Sequence, residues 1–128
     1  MYSDIIASHS PPRGVLDKCY NGANAGCASL RGKVERMIAG PPNLWLCGHI
    51  HEGRGSEMVS FGSISPRETL CVNAANANSG RANRIAYGPV VMEIDEEGNP
   101  TLLQGDKIVE AREQSTESEE SVETLEAA

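Results

Sequence analysis

Apolar residues in this chain gather in short runs separated by glycine, proline and polar clusters, the pattern of an α/β domain built on buried strands. Ile5 to Ser8, Leu44-Trp45-Leu46-Cys47 and Thr69-Leu70-Cys71-Val72-Asn73 are continuous rather than alternating. Runs of that kind predict strands buried on both faces. Between the first two, Leu30, Val34, Met37 and Ile38 recur at i, i+4, i+7 and i+8, which predicts an amphipathic helix from about Cys27 to Ala39, stopped by Gly40-Pro41-Pro42. Met58 to Ile64 has moderate β propensity interrupted by Gly62 and is expected as an edge strand. Gly88 to Asp95 predicts a further strand, turned by Glu96-Glu97-Gly98-Asn99 into a short one near Thr101 to Gln104. His9 to Gly26 and Ala74 to Tyr87 are expected as loops. No internal repeat is present.

Length adds a limit, since 128 residues allow one domain with a real core. The expected organisation is a body, residues 1–105, and an acidic tail, residues 106–128. The tail holds 8 of the 18 acids against Lys107 and Arg112, a net of −6 out of −7. It is Glu- and Ser-rich with few large apolar side chains, so it is expected to be a disordered tail or a marginal solvated helix. The nearly neutral body offers no basic field for a nucleic-acid polymer. Cys19, Cys27, Cys47 and Cys71 include no Cys-x-x-Cys pair, and reduced, packed thiols of a cytoplasmic protein are expected. No run approaches the roughly 20 apolar residues of a membrane helix, and Met1-Tyr2-Ser3-Asp4 do not have the cationic and long apolar pattern of a signal sequence. A first strand only a few residues from Met1 suggests an amino-terminal truncation.

The chemistry sits where these strands end. Gly48-His49-Ile50-His51-Glu52-Gly53 follows one apolar run and Ser8-His9-Ser10-Pro11-Pro12 follows another. Side chains at i and i+2 of an extended segment point the same way, so His49 and His51 can reach one metal or two neighbouring ones. Gly48 and Gly53 are expected to let the backbone turn around them. All three histidines of the chain lie at strand exits, where open α/β sheets collect their ligand sites.

These two motifs resemble the last two metal motifs of the calcineurin-like metallophosphoesterases, most closely the small single-domain, phosphodiesterase-type branch. The likeness covers roughly residues 3 to 95. It implies a partial double-sheet sandwich, half of the αββα fold, with a mixed sheet and one main helix. It also implies metal-dependent hydrolysis of a phosphoester, with a phosphodiester as the expected substrate class. His9 and His49 would hold one metal of a pair and His51 the other, the ions being Mn, Fe or Zn. The family's Asp-x-His, Gly-Asp-x-x-Asp and Gly-Asn-His motifs are absent here. With no bridging carboxylate and no histidine to assist the leaving group, the chain contains no identified catalytic residue. At most one metal, weakly held, and near-background turnover are expected of it alone.

Other polar residues carry less. Asn73 and Asn76 could line the site, though asparagine in such loops commonly bonds local backbone. Glu52 could tune a ligand imidazole, and Arg54, Arg81 and Arg84 could meet a phosphate, yet solvated loop residues are the simpler reading. Arg31, Lys33 and Arg36 fall largely off the apolar stripe and are expected as a solvated basic face rather than a phosphate patch. Two further functions compete with the phosphoesterase. One is a non-catalytic relic that acts as an interaction protein and self-associates through an incomplete sheet. The other, ranked last, is a mononuclear zinc hydrolase with three histidines. The amidohydrolase barrels, which also use His-x-His, need about 250 residues.

Overall fold

The structure, a computed structural model, describes residues 4–62, 67–78 and 84–104. The acidic tail and Arg81 lie outside the described residues, as does the end of the predicted 58–64 strand. Six strands and one helix follow in the order β1 (Ile5–Ala7), α1 (Ala28–Glu35), β2 (Leu44–Cys47), β3 (Gly55–Val59), β4 (Thr69–Asn73), β5 (Val91–Ile94) and β6 (Pro100–Gln104). Over the described residues the fold is α/β with a mixed sheet and one helix, consistent with a partial sandwich.

The larger sheet has the order β1-β2-β4-β3. β1, β2 and β4 are parallel, with Ile6 opposite Trp45 and Trp45 opposite Cys71, while β3 runs antiparallel to β4. The three parallel strands therefore deliver Ala7, Cys47 and Asn73 to the same edge of the sheet. That edge carries all the histidines. β5 and β6 form a separate antiparallel hairpin, whose tip is tied to the main sheet by the Asn43 side-chain amide donating to the Gly98 carbonyl at 2.9 Å.

β2 and β4 are buried on both faces, as their continuous apolar runs predict. β1 is not. It is an edge strand with Ile5 42% exposed, so only the Ile6 face meets the core. The core itself joins Trp45, Cys47 and Cys71 of the sheet to Val34, Met37, Val15 and Phe61. Removing the fully buried Trp45 side chain would cost about 3–5 kcal/mol.

The helix is shorter than its apolar stripe. It starts at Cys27, whose sulfur accepts the Leu30 N–H, and ends at Arg36. Beyond that point the chain turns through Gly40, and Ile38 is 93% exposed rather than part of a buried stripe. The predicted edge strand exists but lies earlier, at Gly55–Val59, because pairing with β4 sets its register. No helix among the described residues is long and apolar enough to cross a membrane.

Candidate metal centre

His9 leaves β1 through a loop fixed from below. The buried Trp45 indole N–H donates to the Ser8 hydroxyl at 2.8 Å, and that hydroxyl donates to the Ser10 carbonyl at 2.7 Å. The two serines flanking His9 are thus held by the core, and the His9 carbonyl accepts the Gly48 N–H at 3.0 Å. The two histidine loops are joined through backbone. Their rings also touch: the centroids of His9 and His49 are 4.4 Å apart at an interplanar angle of 38°.

His49 sits in left-handed backbone, with φ of 71°. The Ile50 N–H donates to the Gly48 carbonyl at 2.8 Å across it, which makes His49 the centre of a γ-turn. The expected strain-free glycine is not where the φ reversal falls, since Gly48 has no left-handed φ. A histidine held in such a conformation costs of order 1–3 kcal/mol, and outliers of this kind cluster at functional sites. Gly53 is needed for space rather than for φ. A Cβ there would lie 2.2 Å from the Leu16 carbonyl oxygen.

His51 opens a single 3-10 turn, His51–Gly53. Its Nδ1 lies 3.1 Å from the Asn78 carbonyl oxygen. A carbonyl can only accept, so Nδ1 carries the proton and the Nε2 lone pair of the neutral ring is left for another partner.

Three residues brace these loops. Asn73, fully buried, donates its amide to the carbonyls of Leu16 at 3.1 Å and Ile50 at 2.9 Å and accepts the Ala75 N–H at 3.0 Å. Asp17, also buried, accepts the N–H groups of Gly14 and Gly26, each at 2.8 Å, and so closes the loop after His9. Arg54 donates to the carbonyls of Ala74 at 3.2 Å, Ala75 at 2.6 Å and Gly88 at 3.0 Å. Its guanidinium also lies 5.2 Å from the centre of the Tyr87 ring. Burial lowers the Arg54 pKa from its usual value, with the Tyr87 charge acting the other way.

No family model matches the chain. Curated relatives do. It is 36% identical over 73 residues to metallophosphoesterase domain-containing protein 1 of Homo sapiens, a match covering 56% of this chain and 20% of that protein. The Mus musculus protein of the same name matches to the same extent. A UPF0046 protein of Caenorhabditis elegans is 40% identical over 52 residues, covering 41% of this chain and 13% of that protein. This stretch of the chain is related to the metallophosphoesterases. The chain spans a fifth or less of the length of these relatives.

Set against that metallophosphoesterase relationship, the donor set is of the right kind, because neutral imidazoles at strand exits suit divalent transition metals. Among the described residues no group of three or more His, Cys, Asp or Glu side chains could hold a metal ion. The structure brings His9 and His49 into contact and sets His51 against Asn78.

Sequence reasoning placed the histidines at the sheet edge and missed their supports. Arg54 is no solvated loop arginine but a clamp on backbone. Asn73 bonds two distant segments as well as a local one, and Asp17 was not singled out. The one sequence signal for Asp17 was its setting in a glycine-rich loop, between Gly14 and Gly26. Glu52 is exposed and Arg84 is exposed, in keeping with the simpler reading of both. The expected loop from Ala74 to Tyr87 is not plain over its described residues, since Ala77 and Ile85 form an antiparallel bridge.

Proposed function

We propose that this chain carries part of the metal centre of a metal-dependent phosphoester hydrolase, with phosphodiesters as the substrate class. The observation that supports this most is the contact of His9 and His49 at the shared edge of three parallel strands, in a chain that is similar over part of its length to metallophosphoesterase domain-containing proteins. His9 and His49 would hold one divalent ion and His51, through Nε2, another. Such ions, Mn, Fe or Zn, supply positive charge against a phosphoryl group and make water a better nucleophile. The protein's own part is to orient three imidazoles through the Trp45–Ser8 bond, the Asn73 strap and the Asn78 carbonyl.

Three neutral imidazoles do not balance the repulsion of two adjacent dications. The chain alone is therefore expected to bind at most one metal, weakly, and to turn over near background, with the remaining ligands supplied by polypeptide outside it. Metal analysis of the purified chain, combined with hydrolysis of an aryl phosphodiester in Mn²⁺, tests this. Two tightly bound ions per chain with turnover would overturn the partial-site reading, and failure of His9→Ala and His49→Ala to weaken any binding would overturn the ligand assignment.

A second reading, a non-catalytic interaction protein, draws on a different feature. Ile5 on the free edge of β1 and Val91, Ile94 and Leu103 on the hairpin are exposed apolar residues. Edges and patches of this kind favour self-association. Sedimentation of the chain across a concentration range distinguishes a monomer from an oligomer. In either reading the protein is proposed to work in the cytoplasm.

A further inference from the structure

We propose that Arg54 is a positioning residue for His51, fixing which nitrogen of that imidazole is free by holding the Asn78 carbonyl against the other. The chain of contacts is closed. The Arg54 backbone N–H donates to the His51 carbonyl at 3.4 Å, which completes the 3-10 turn. From there the guanidinium fork grips two paired segments, Ala74 and Ala75 in one and Gly88 in the other.

The bonds between these two segments transmit that grip to Asn78. The amides of Ala86 and Tyr87 donate to the Asn76 carbonyl at 2.8 and 3.1 Å, and Ala77 bridges Ile85. Asn78 is held twice by Arg84, through its own N–H to the Arg84 carbonyl at 2.8 Å and through its side-chain oxygen to the Arg84 N–H at 2.9 Å. Its own carbonyl then receives the Nδ1 proton of His51.

Two features show that the guanidinium is committed to this task. Its Nε is buried without a hydrogen-bond partner among the described residues, a cost borne while both terminal nitrogens bind backbone oxygens. Nor could lysine replace it, because an ammonium is a point donor that cannot span two segments as the planar fork does. The bearing of this clamp on metal affinity rests on the metal-site reading above. Its bearing on the imidazole does not.

The test uses the metal-free full chain, labelled with ¹⁵N, and reads the ring nitrogen shifts of His51 at mildly alkaline pH. The wild type is expected to be protonated at Nδ1. Arg54→Lys and Arg54→Ala are expected to move a large part of the population to the Nε2-protonated tautomer, with the lysine variant intermediate. In a parallel titration with Zn²⁺ alone, Arg54→Ala is expected to weaken binding about 10- to 100-fold, the usual effect of removing support from a ligand histidine. If Arg54→Ala fails to fold, Arg54→Lys and Asn78→Ala, which frees Asn78 from the Arg84 amide, decide the matter by the same shifts. Folded variants with the His51 shifts of the wild type overturn the proposal. A tautomer change in a chain that binds no Zn²⁺ upholds the positioning role and counts against the metal reading instead.

Discussion

The side-chain amide of Asn73 donates to the backbone carbonyl of Ile50, the residue between the two paired histidines, at 2.9 Å. β4 thus holds the His49-Ile50-His51 loop, and the same amide holds Leu16 in the loop after His9. Replacing Asn73 by Ala strands the buried Ile50 carbonyl, the part-buried Leu16 carbonyl and the Ala75 N–H. Each such group costs about 1–3 kcal/mol, so a loss of about 3 kcal/mol is expected, measured by urea unfolding. Asn73→Asp should be no better, since a carboxylate cannot donate to either carbonyl.

Asp17 closes the loop after His9 from within. Asp17→Ala removes the shared acceptor of the Gly14 and Gly26 amides, bonds that are part-buried, and is expected to cost about 1–2 kcal/mol. Hydrogen exchange at those two amides should accelerate first. Stability equal to that of the wild type would show that the carboxylate is not what holds the loop.

His49 trades stability for the placement of its ring. At a φ of 71°, glycine is unstrained and alanine is not. His49→Gly is therefore expected to exceed His49→Ala in stability by about 1 kcal/mol in paired denaturant titrations, while both variants lose the ring that touches His9. Equal stability of the two would mean that the turn relaxes without the imidazole.

The buried thiols set the alkaline limit. Burial pushes Cys47 up to about 12 from 9.0, and burial, then Cys47 and Glu57, push Cys71 up to about 12 from the same value. Between pH 9 and 12 the unfolded chain releases protons that the folded chain keeps, so these groups' contribution is whole below 9 and is lost as pH rises through that window. Thermal midpoints should fall across it, and Cys71→Ala should flatten the fall. Native-state thiol titration should find Cys19 and Cys27, which are half-buried, and spare Cys47 and Cys71.

The strands of the main sheet were legible because continuous apolar runs have few ways to leave water. Leu44–Cys47 and Thr69–Asn73 lie where those runs predict. The Asp95 turn was equally local, its carboxylate accepting the amides of Glu97 and Asn99. Burial was not legible at Ile5 or Ile38, because hydrophobicity states a preference and only the neighbours decide whether it is met. β3 was displaced from its expected place for a similar reason, as Met58 and Val59 pair with Leu70 and Thr69 and so draw Gly55 to Glu57 into the strand.

Sequence by itself determined the α/β class, the parallel core runs and the placing of every histidine at a strand exit, since each follows from short-range periodicity and turn chemistry. Tertiary structure alone decided that His9 meets His49, that Asn73 and Arg54 hold the surrounding loops, and that Asn78 faces His51. Those contacts join residues from 20 to 57 positions apart, and such pairings have no local signature: the His9–His49 contact needs two separate strands to end side by side, and the others bind backbone carbonyls, which every residue possesses.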